Sequence, residues 1–178
     1  MSKQNEQIAI QKVLEGNTEA FEILVERYQK GLCIYLFNML RDDMLAEDIA
    51  QESFLQAFQK LNTYNLNYSF STWLYRIARN KALRHIEKNK KNITNYDFES
   101  VEHSTLMSAH EEVTQNENRE HIQKIIRSLK PEYQEVLNLY YWNGKSYSEI
   151  SDIIDRPVNT VRTLLRRSKE SIRKELYG

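Results

Sequence analysis

The side chains best suited to binding chemistry are arginines that recur at helical spacing near the end of the chain. They share one face with a threonine in the segment after Pro157: Arg162, Thr163, Arg166 and Arg167. An arginine can donate two parallel hydrogen bonds to guanine O6 and N7 in the major groove of duplex DNA. Arg173 and Lys174, farther along, would more naturally contact phosphates. The pattern predicts a helix that reads the edges of base pairs.

A second polar, cationic face is expected in the middle of the chain. Its members recur at helical spacing: Arg76, Arg79, Asn80, Arg84 and Lys88. The same segment contains Trp73 and Ile77, which we expect to lie opposite this face and to pack in the core. A cationic helix of this kind can bind the phosphates of a nucleic acid.

Aromatic residues surround the start of that segment, with Tyr64 in the preceding loop. Bases of single-stranded DNA stack on aromatic rings while cations contact the backbone. For Phe70 and Trp73 a place in the core is the simpler interpretation. Tyr64, Asn80 and Arg84 are instead predicted to contact DNA.

The charge of the chain is strongly segregated, although 25 basic and 25 acidic residues cancel overall. Seven bases and one acid lie between Arg76 and Lys91, and the same numbers lie between Arg156 and Lys174. Acidic residues prevail before Lys60 and again over 92–120. A polyanion responds to the local field, so two basic blocks are compatible with nucleic-acid binding at zero net charge.

Only 4 glycines and 2 prolines occur in 178 residues, which favours helices over sheet. Apolar residues recur at helical spacing before residue 91 and after residue 119, and Asn17 is expected to cap the helix that begins near Phe21. The sequence predicts an all-α fold of two small helical domains, 1–91 and 119–178. A flexible linker over 92–118 is expected to join them.

The C-terminal domain carries the signals of a helix-turn-helix. Ser146 and Glu149 have the spacing of a capping box at the start of a short helix, and a second helix follows Pro157. Ser151 supplies the small residue expected where the two helices touch. Four apolar residues are expected to lock the pair: Ile150, Ile154, Val161 and Leu164. Asp155 lies in the turn, where glycine or asparagine better fits a left-handed backbone.

Several classes of function find little support. Cys33 is the only cysteine, so no intramolecular disulfide is possible, and the four histidines are scattered. No glycine-rich phosphate loop occurs. We therefore expect no metal, no cofactor and no enzymatic activity. The N-terminus lacks the apolar core of a secretory signal, and no apolar run reaches the roughly 20 residues of a membrane span. We expect a cytoplasmic protein that does not insert into membranes.

Three segments occur together in an order that resembles a known family. Residues 46–54 (AEDIAQESF) combine two acids, an aliphatic residue and Gln-Glu, residues 70–80 (FSTWLYRIARN) begin the aromatic and basic helix, and residues 146–176 form the helix-turn-helix. They are similar to the polymerase-binding helix, the promoter-melting helix and the C-terminal domain of bacterial RNA polymerase sigma factors. The missing intervening domain is typical of the extracytoplasmic-function (ECF) subfamily.

This resemblance implies contacts with core RNA polymerase and with melted promoter DNA. Asp48, Gln51 and Glu52 would contact the clamp helices of the polymerase beta-prime subunit, and the beta flap would be a further contact on the polymerase. Asn80 and the loop over 64–69 would capture a flipped base of the non-template strand in the minus-ten element.

For the C-terminal domain the resemblance implies recognition of the minus-thirty-five element as duplex by Arg162, Thr163, Arg166 and Arg167. The family often has a small or aromatic residue at the position of Arg166, and commonly has glycine where this chain has Asp155 and Asn159. Family members are often held inactive by an anti-sigma factor, commonly membrane-anchored, and such a partner is among the expectations.

Two other functions fit the sequence less well. A stand-alone helix-turn-helix regulator would need no polymerase-binding face at Asp48, Gln51 and Glu52, so capture of the protein by purified core polymerase would distinguish the two. A helical adaptor would leave the two basic blocks without a role. The sequence therefore predicts a sigma factor, with the stand-alone regulator as the alternative.

Overall fold

The computed structural model describes residues 3–65, 68–92 and 116–177. The chain divides into two compact units, Met1–Glu99 and Ser100–Gly178. Every regular element in the described ranges is a helix, which confirms the all-α class with two helical domains. Of the expected linker over 92–118, residues 93–115 lie outside the described residues. The first helix of the second unit begins at Asn116, three residues before the expected boundary of 119.

In its described residues, the first unit contains four α-helices and two short 3-10 turns. The helices are α1 (Lys3–Leu14), α2 (Glu22–Leu40), α3 (Asp43–Gln59) and α4 (Phe70–Asn92). The turns are Thr18–Phe21 and Leu61–Thr63. Tyr35, Leu36 and Leu74 are fully buried between the helices. Buried alanines on α3 and α4, among them Ala57 and Ala78, allow the helix backbones to approach closely.

Side chains cap the starts of α3 and α4, whereas α2 begins without a side-chain cap. The carboxylate of Asp42 accepts a hydrogen bond from the amide of Leu45 at 3.0 Å and so caps α3. Ser69 Oγ accepts from the amide of Thr72 at 3.1 Å at the start of α4. The expectation for Asn17 was wrong, because this residue precedes a 3-10 turn, makes no capping side-chain hydrogen bond there, and is separated from α2 by that turn.

The second unit contains α5 (Asn116–Ser128), α6 (Pro131–Leu137), α7 (Tyr147–Ile154) and α8 (Val158–Tyr177). A π-helix over Asn138–Trp142 continues α6. The core of the second unit is aliphatic and includes Leu137, Leu139, Ile153 and Leu165. Ser146 and Glu149 form the predicted capping box: the Glu149 amide donates to Ser146 Oγ at 3.2 Å, and the Ser146 amide donates to Glu149 Oε2 at 3.0 Å.

The turn between α7 and α8 has a left-handed backbone, although Asp155 occupies the position where glycine or asparagine fits better. Asp155 has φ 55° and ψ 51°, and its amide donates to the carbonyl of Ser151. The Ser151 hydroxyl donates to the Arg156 carbonyl at 2.6 Å, so this small residue fastens the turn. Of the expected lock, Ile150, Ile154 and Val161 are buried, whereas Leu164 is partly exposed.

Candidate functional site

Helix α3 presents a polar face that combines acids and amides. Its buried side packs Ile49, Ala50 and Phe54 into the core, which leaves the opposite side for solvent. The predicted polymerase-binding side chains all lie on that exposed side: Asp48, Gln51 and Glu52. We call these three residues the α3 face. Met44 and Leu55 lie at the two ends of the same side and are 80% and 57% exposed. The sequence analysis did not single out these two exposed apolar residues.

One residue of the α3 face is joined to helix α4. Glu52 Oε2 accepts a hydrogen bond from Lys81 Nζ at 2.9 Å. The Lys81 side chain is 22% exposed and that of Glu52 is 63% exposed. The acceptor therefore remains largely accessible, and the cation that holds it lies directly after Asn80 in the predicted DNA-binding segment.

A cavity opens beside the α3 face, between α2 and α3. Its volume is about 300 Å³, and Val25, Cys33, Glu47, Gln51 and Phe54 are among its lining residues. Burial, with a smaller contribution from Glu47, raises the pKa of the Cys33 thiol to about 11, so the thiol is protonated at neutral pH.

Helix α4 exposes four of its five predicted DNA-binding side chains. Arg76, Asn80, Arg84 and Lys88 are exposed, and Arg79 is partly buried at the edge of the same face. We call these five residues the α4 face. The expectation that Trp73 and Ile77 lie opposite it was wrong. Both are partly exposed, and at 100° per residue they share the side of Asn80 and Arg84.

Phe70 is the centre of an aromatic cluster beneath the start of α4. It is fully buried, as expected, and its ring centroid lies 5.9 Å from those of Tyr28, Tyr64 and Trp73. Phe21 completes the cluster at 6.3 Å. Because Trp73 is partly exposed, the cluster extends from the core to the α4 face, and its outer ring is available for stacking.

Tyr64 links this cluster to the loop before α4. Its ring lies 5.2 Å from that of Trp73, and its hydroxyl donates to the carbonyl of Tyr68 at 2.6 Å. Burial, and secondarily the charge of Glu6, raises the pKa of Tyr64 to about 12. The residue is partly buried, so it holds the loop in place as well as lining the surface beside α4.

Glu6 is a buried acid that sequence reasoning missed. It is only 7% exposed, accepts a hydrogen bond from the Tyr28 hydroxyl, and lies 3.7 Å from Arg27 Nε. Burial and this carboxylate raise the pKa of Tyr28 well above its usual value. The group fastens α1 to α2 beneath the aromatic cluster. No local pattern indicated it, because the partner lies 22 residues away.

Helix α8 exposes the arginines predicted to read duplex DNA. Arg162, Arg166 and Arg167 are exposed, whereas Val161, Leu165 and Ser168 are buried on the opposite side. Thr163 is partly buried. We call Arg162, Thr163, Arg166 and Arg167 the α8 face. The Thr163 hydroxyl donates to the Asn159 carbonyl at 2.9 Å, and Arg166 Nη1 donates to Glu170 Oε1 at 2.6 Å.

The π-helix displays an aromatic surface that was not predicted. Tyr141 and Trp142 are 55% and 46% exposed. Lys169 Nζ lies 5.8 Å from the Tyr140 ring and 5.6 Å from the Tyr141 ring, within cation–π range. A hydrogen bond with Tyr141 raises the pKa of Lys169, so this ammonium stays charged. The π-helix therefore fixes a charged and aromatic patch beside α8.

No group of three or more His, Cys, Asp or Glu side chains within the described ranges could hold a metal ion. Among the helices of these same ranges, none is long and apolar enough to cross a bilayer.

Two family models match the chain in succession. Sigma-70 region 2 matches residues 24–92, which include the α3 and α4 faces. Sigma-70, region 4 matches residues 119–172, which include the α8 face. The two matches fall in separate compact units and in the order expected from the sequence.

Curated relatives match nearly the whole chain. The ECF RNA polymerase sigma factor SigW of Bacillus subtilis is 34% identical over 176 residues, which cover 94% of each protein. The ECF RNA polymerase sigma-E factor of Escherichia coli K12 is 31% identical over 182 residues, covering 97% of this chain and 95% of the relative.

Solved structures share the fold. CnrH, in complex with the cytosolic domain of CnrY, superposes with a TM-score of 0.71 at 18% identity, covering 97% of each chain. The sigma factor RpoE of Bartonella quintana, in complex with the anti-sigma factor NepR, has a TM-score of 0.69 at 18% identity and covers 88% of this chain and 96% of its own.

Regions 2 and 4 in succession, with full-length relatives above 30% identity, confirm the sigma-factor prediction over the stand-alone regulator. The chain belongs to the ECF family of RNA polymerase sigma factors, which bind core RNA polymerase and direct promoter-specific initiation of transcription.

Proposed function

We propose that the α3, α4 and α8 faces divide the work of initiation among polymerase, melted DNA and duplex DNA. The observation that carries this proposal is that each helix buries one side in the core and exposes polar side chains of a distinct chemical character on another side. Exposed charged side chains contribute little to folding stability. The presence of acids on the α3 face and of bases on the α4 and α8 faces is therefore better explained by a different binding partner for each face.

The α3 face binds the clamp helices of the polymerase beta-prime subunit. Asp48 and Glu52 supply negative charge for a basic partner surface, and Gln51 supplies an amide that both donates and accepts. The cavity beside Gln51, lined by both apolar and polar side chains, offers a recess for one side chain of that partner. The beta flap is a further contact on the polymerase.

The α4 face captures the non-template strand of the minus-ten element. Arg76, Arg84 and Lys88 contact phosphates, and Asn80 hydrogen-bonds a flipped base. Trp73 offers a ring beside Asn80 on which a base can stack. Tyr64 supports this ring and shapes the loop, so its contribution combines DNA contact with positioning.

The α8 face reads the minus-thirty-five element as duplex. Arg162, Arg166 and Arg167 can donate to base edges or phosphates, and Thr163 contributes a methyl group suited to thymine. No step requires covalent chemistry, so we propose that the protein is not an enzyme and acts in the cytoplasm, where its polymerase and DNA partners are found.

We also propose domain limits of 1–91 and 119–178 with a connecting segment over 92–118. An anti-sigma factor is a further proposed partner. The proposal is supported by the RpoE neighbour, which is described in complex with the anti-sigma factor NepR. A membrane-anchored form of this partner would hold the factor away from polymerase.

Run-off transcription with purified core polymerase tests the proposal as a whole. Wild-type protein should produce initiation at defined sites on genomic fragments, and core polymerase alone should not. Asn80→Ala should lower open-complex formation while leaving polymerase binding intact. Arg162→Ala should weaken binding to the minus-thirty-five element by about 1–3 kcal/mol and relax discrimination at one base pair. Initiation that is equally selective with and without the protein would refute it.

A further inference from the structure

Glu170 is an acid in an unfavourable place for a DNA-reading helix. It is the single acidic residue between Arg156 and Lys174. It lies one turn after Arg166 on the exposed side of α8, and its side chain is 57% exposed. An acid at this position faces the same phosphates that the α8 face is proposed to approach, so it should weaken DNA binding through like-charge repulsion.

The acid is not explained by its contribution to folding. An exposed ion pair at i, i+4 stabilises a helix by about 0.3–0.5 kcal/mol. The order found here, with the cation before the acid, is the less favourable of the two. Neither Arg166 nor Glu170 is buried, and their side chains are 64% and 57% exposed. A role in DNA recognition is the better explanation for the pair.

The contact itself determines where the Arg166 guanidinium can point. Arg166 Nη1 donates to Glu170 Oε1 at 2.6 Å, a short, charge-assisted hydrogen bond. A guanidinium has five N–H donors, so one bond to Glu170 leaves enough donors for a bidentate contact with guanine. A free arginine has many rotamers and can swing to a neighbouring phosphate, whereas a held arginine keeps one direction.

We propose that Glu170 is a positioning residue that fixes Arg166 as a reader of a single base pair, and that it raises sequence specificity at the expense of affinity. The inference rests on the proposed function of the α8 face. In the bound state the carboxylate orients the guanidinium and penalises its transfer to the phosphate backbone. The base pair that Arg166 reads must therefore contain a guanine, which presents O6 and N7 in the major groove.

Holoenzyme assembled from the full chain and core RNA polymerase provides the test. The probe is a randomised duplex DNA pool, selected by wild-type holoenzyme and sequenced. Competition binding then measures the preference at each upstream base pair for wild type, Arg166→Ala, Glu170→Gln and the double variant. Glu175→Gln is the matched control, because it removes one exposed acid from the same helix at a position on a different side.

Arg166→Ala should lower the preference at one base pair by roughly 5- to 150-fold. Glu170→Gln should lower the preference at that same base pair by roughly two- to twelve-fold. This range is the cost of immobilising one flexible side chain on binding, expressed as a change in affinity. Both glutamine variants should bind unrelated DNA more tightly, but Glu175→Gln should keep the base preference. In the Arg166→Ala background, Glu170→Gln should have no further effect at that base pair.

Three results would overturn the inference. The first is an unchanged preference in Glu170→Gln when Arg166→Ala loses it, which leaves the proposed role of the α8 face intact. The second is a loss of base preference in Glu170→Gln that persists in the Arg166→Ala background. Glu170 would then contact a base directly, for example cytosine N4. The third is an unchanged preference in Arg166→Ala, which would refute the reading role of Arg166 as well.

Discussion

The hydrogen bond between Glu52 and Lys81 allows the role of Glu52 in docking to be separated from a role in folding. The two charged atoms lie 2.9 Å apart. Coulomb's law gives about 1.4 kcal/mol for this distance in water. Salt screening and the entropy of ordering two flexible side chains reduce the net value to less than about 1 kcal/mol. Removal of the pair should therefore hardly change the stability of the first unit.

Glu52→Gln and Lys81→Met remove the same ion pair from opposite ends. Methionine keeps most of the partly buried lysine stem, so packing beneath α3 is preserved. Both variants should lose less than about 1 kcal/mol in urea unfolding. Their affinity for core polymerase should differ, because only Glu52→Gln removes a charged group from the α3 face. A charge-assisted hydrogen bond is worth about 1.5–3 kcal/mol, which corresponds to a dissociation constant roughly ten-fold or more weaker.

Titration of fluorescently labelled protein with purified core polymerase measures this difference directly. Lys81→Met should bind polymerase within roughly a factor of three of wild type. Equal weakening by the two variants would refute the reasoning, because Glu52 would then act through its bond to α4 rather than through contact with polymerase. A loss of stability above about 2 kcal/mol in Glu52→Gln would refute the energetic part.

Three further predictions concern helix ends and the aromatic cluster. Ser146→Ala should lower the unfolding free energy of the second unit by about 1 kcal/mol in urea titration, because it removes the cap of α7, whereas Ser146→Asp should retain most of it. Asp155→Val should lower that free energy by about 1–2 kcal/mol, since φ is 55° at this position and a β-branched residue fits the left-handed region poorly, and an unchanged value would contradict the left-handed backbone of this turn. For Tyr64 the folded pKa of about 12 exceeds the ordinary value of 10.0, so the unfolded chain loses its proton first and stability falls as pH rises between these values. Tyr64→Phe should reduce this fall and remove one late-titrating phenol from the absorbance titration, and an identical titration curve would contradict the burial of this hydroxyl.

Local signals allowed the helix-turn-helix to be predicted from the sequence in detail. The capping box depends on two residues three positions apart, and the left-handed turn at Asp155 depends on one break in an apolar pattern. The exposed sides of α3 and α8 follow from helical periodicity, which needs only the knowledge of which residues are apolar. The orientation of Trp73 was equally predictable, because seven residues are nearly two full turns and place it beside Asn80.

Features that depend on contacts outside the regular helical repeat could not be predicted in this way. The burial of Glu6 requires the hydroxyl of Tyr28 on another helix. The π-helix over Asn138–Trp142 ends where the side-chain amide of Asn143 donates to the Asn138 side-chain oxygen at 3.1 Å and to its carbonyl at 3.2 Å. Neither contact leaves a periodic signature. The aromatic patch against Lys169 follows from that π-helix and was missed for the same reason.

The cations of α4 add a last prediction, because they oppose helix stability. Arg84 and Lys88 are exposed like charges one turn apart. Such a pair destabilises an isolated helix by about 0.2–0.5 kcal/mol, so folding alone would not favour it. Lys88→Gln should therefore leave the unfolding free energy unchanged or slightly raise it. If Lys88 contacts a phosphate of single-stranded DNA, the slope of log affinity against log salt should become shallower by about 0.7 in holoenzyme binding to melted promoter DNA. Lys88→Arg keeps the charge and should keep the slope. A lower stability with an unchanged slope would mean that this cation serves the fold and not the DNA.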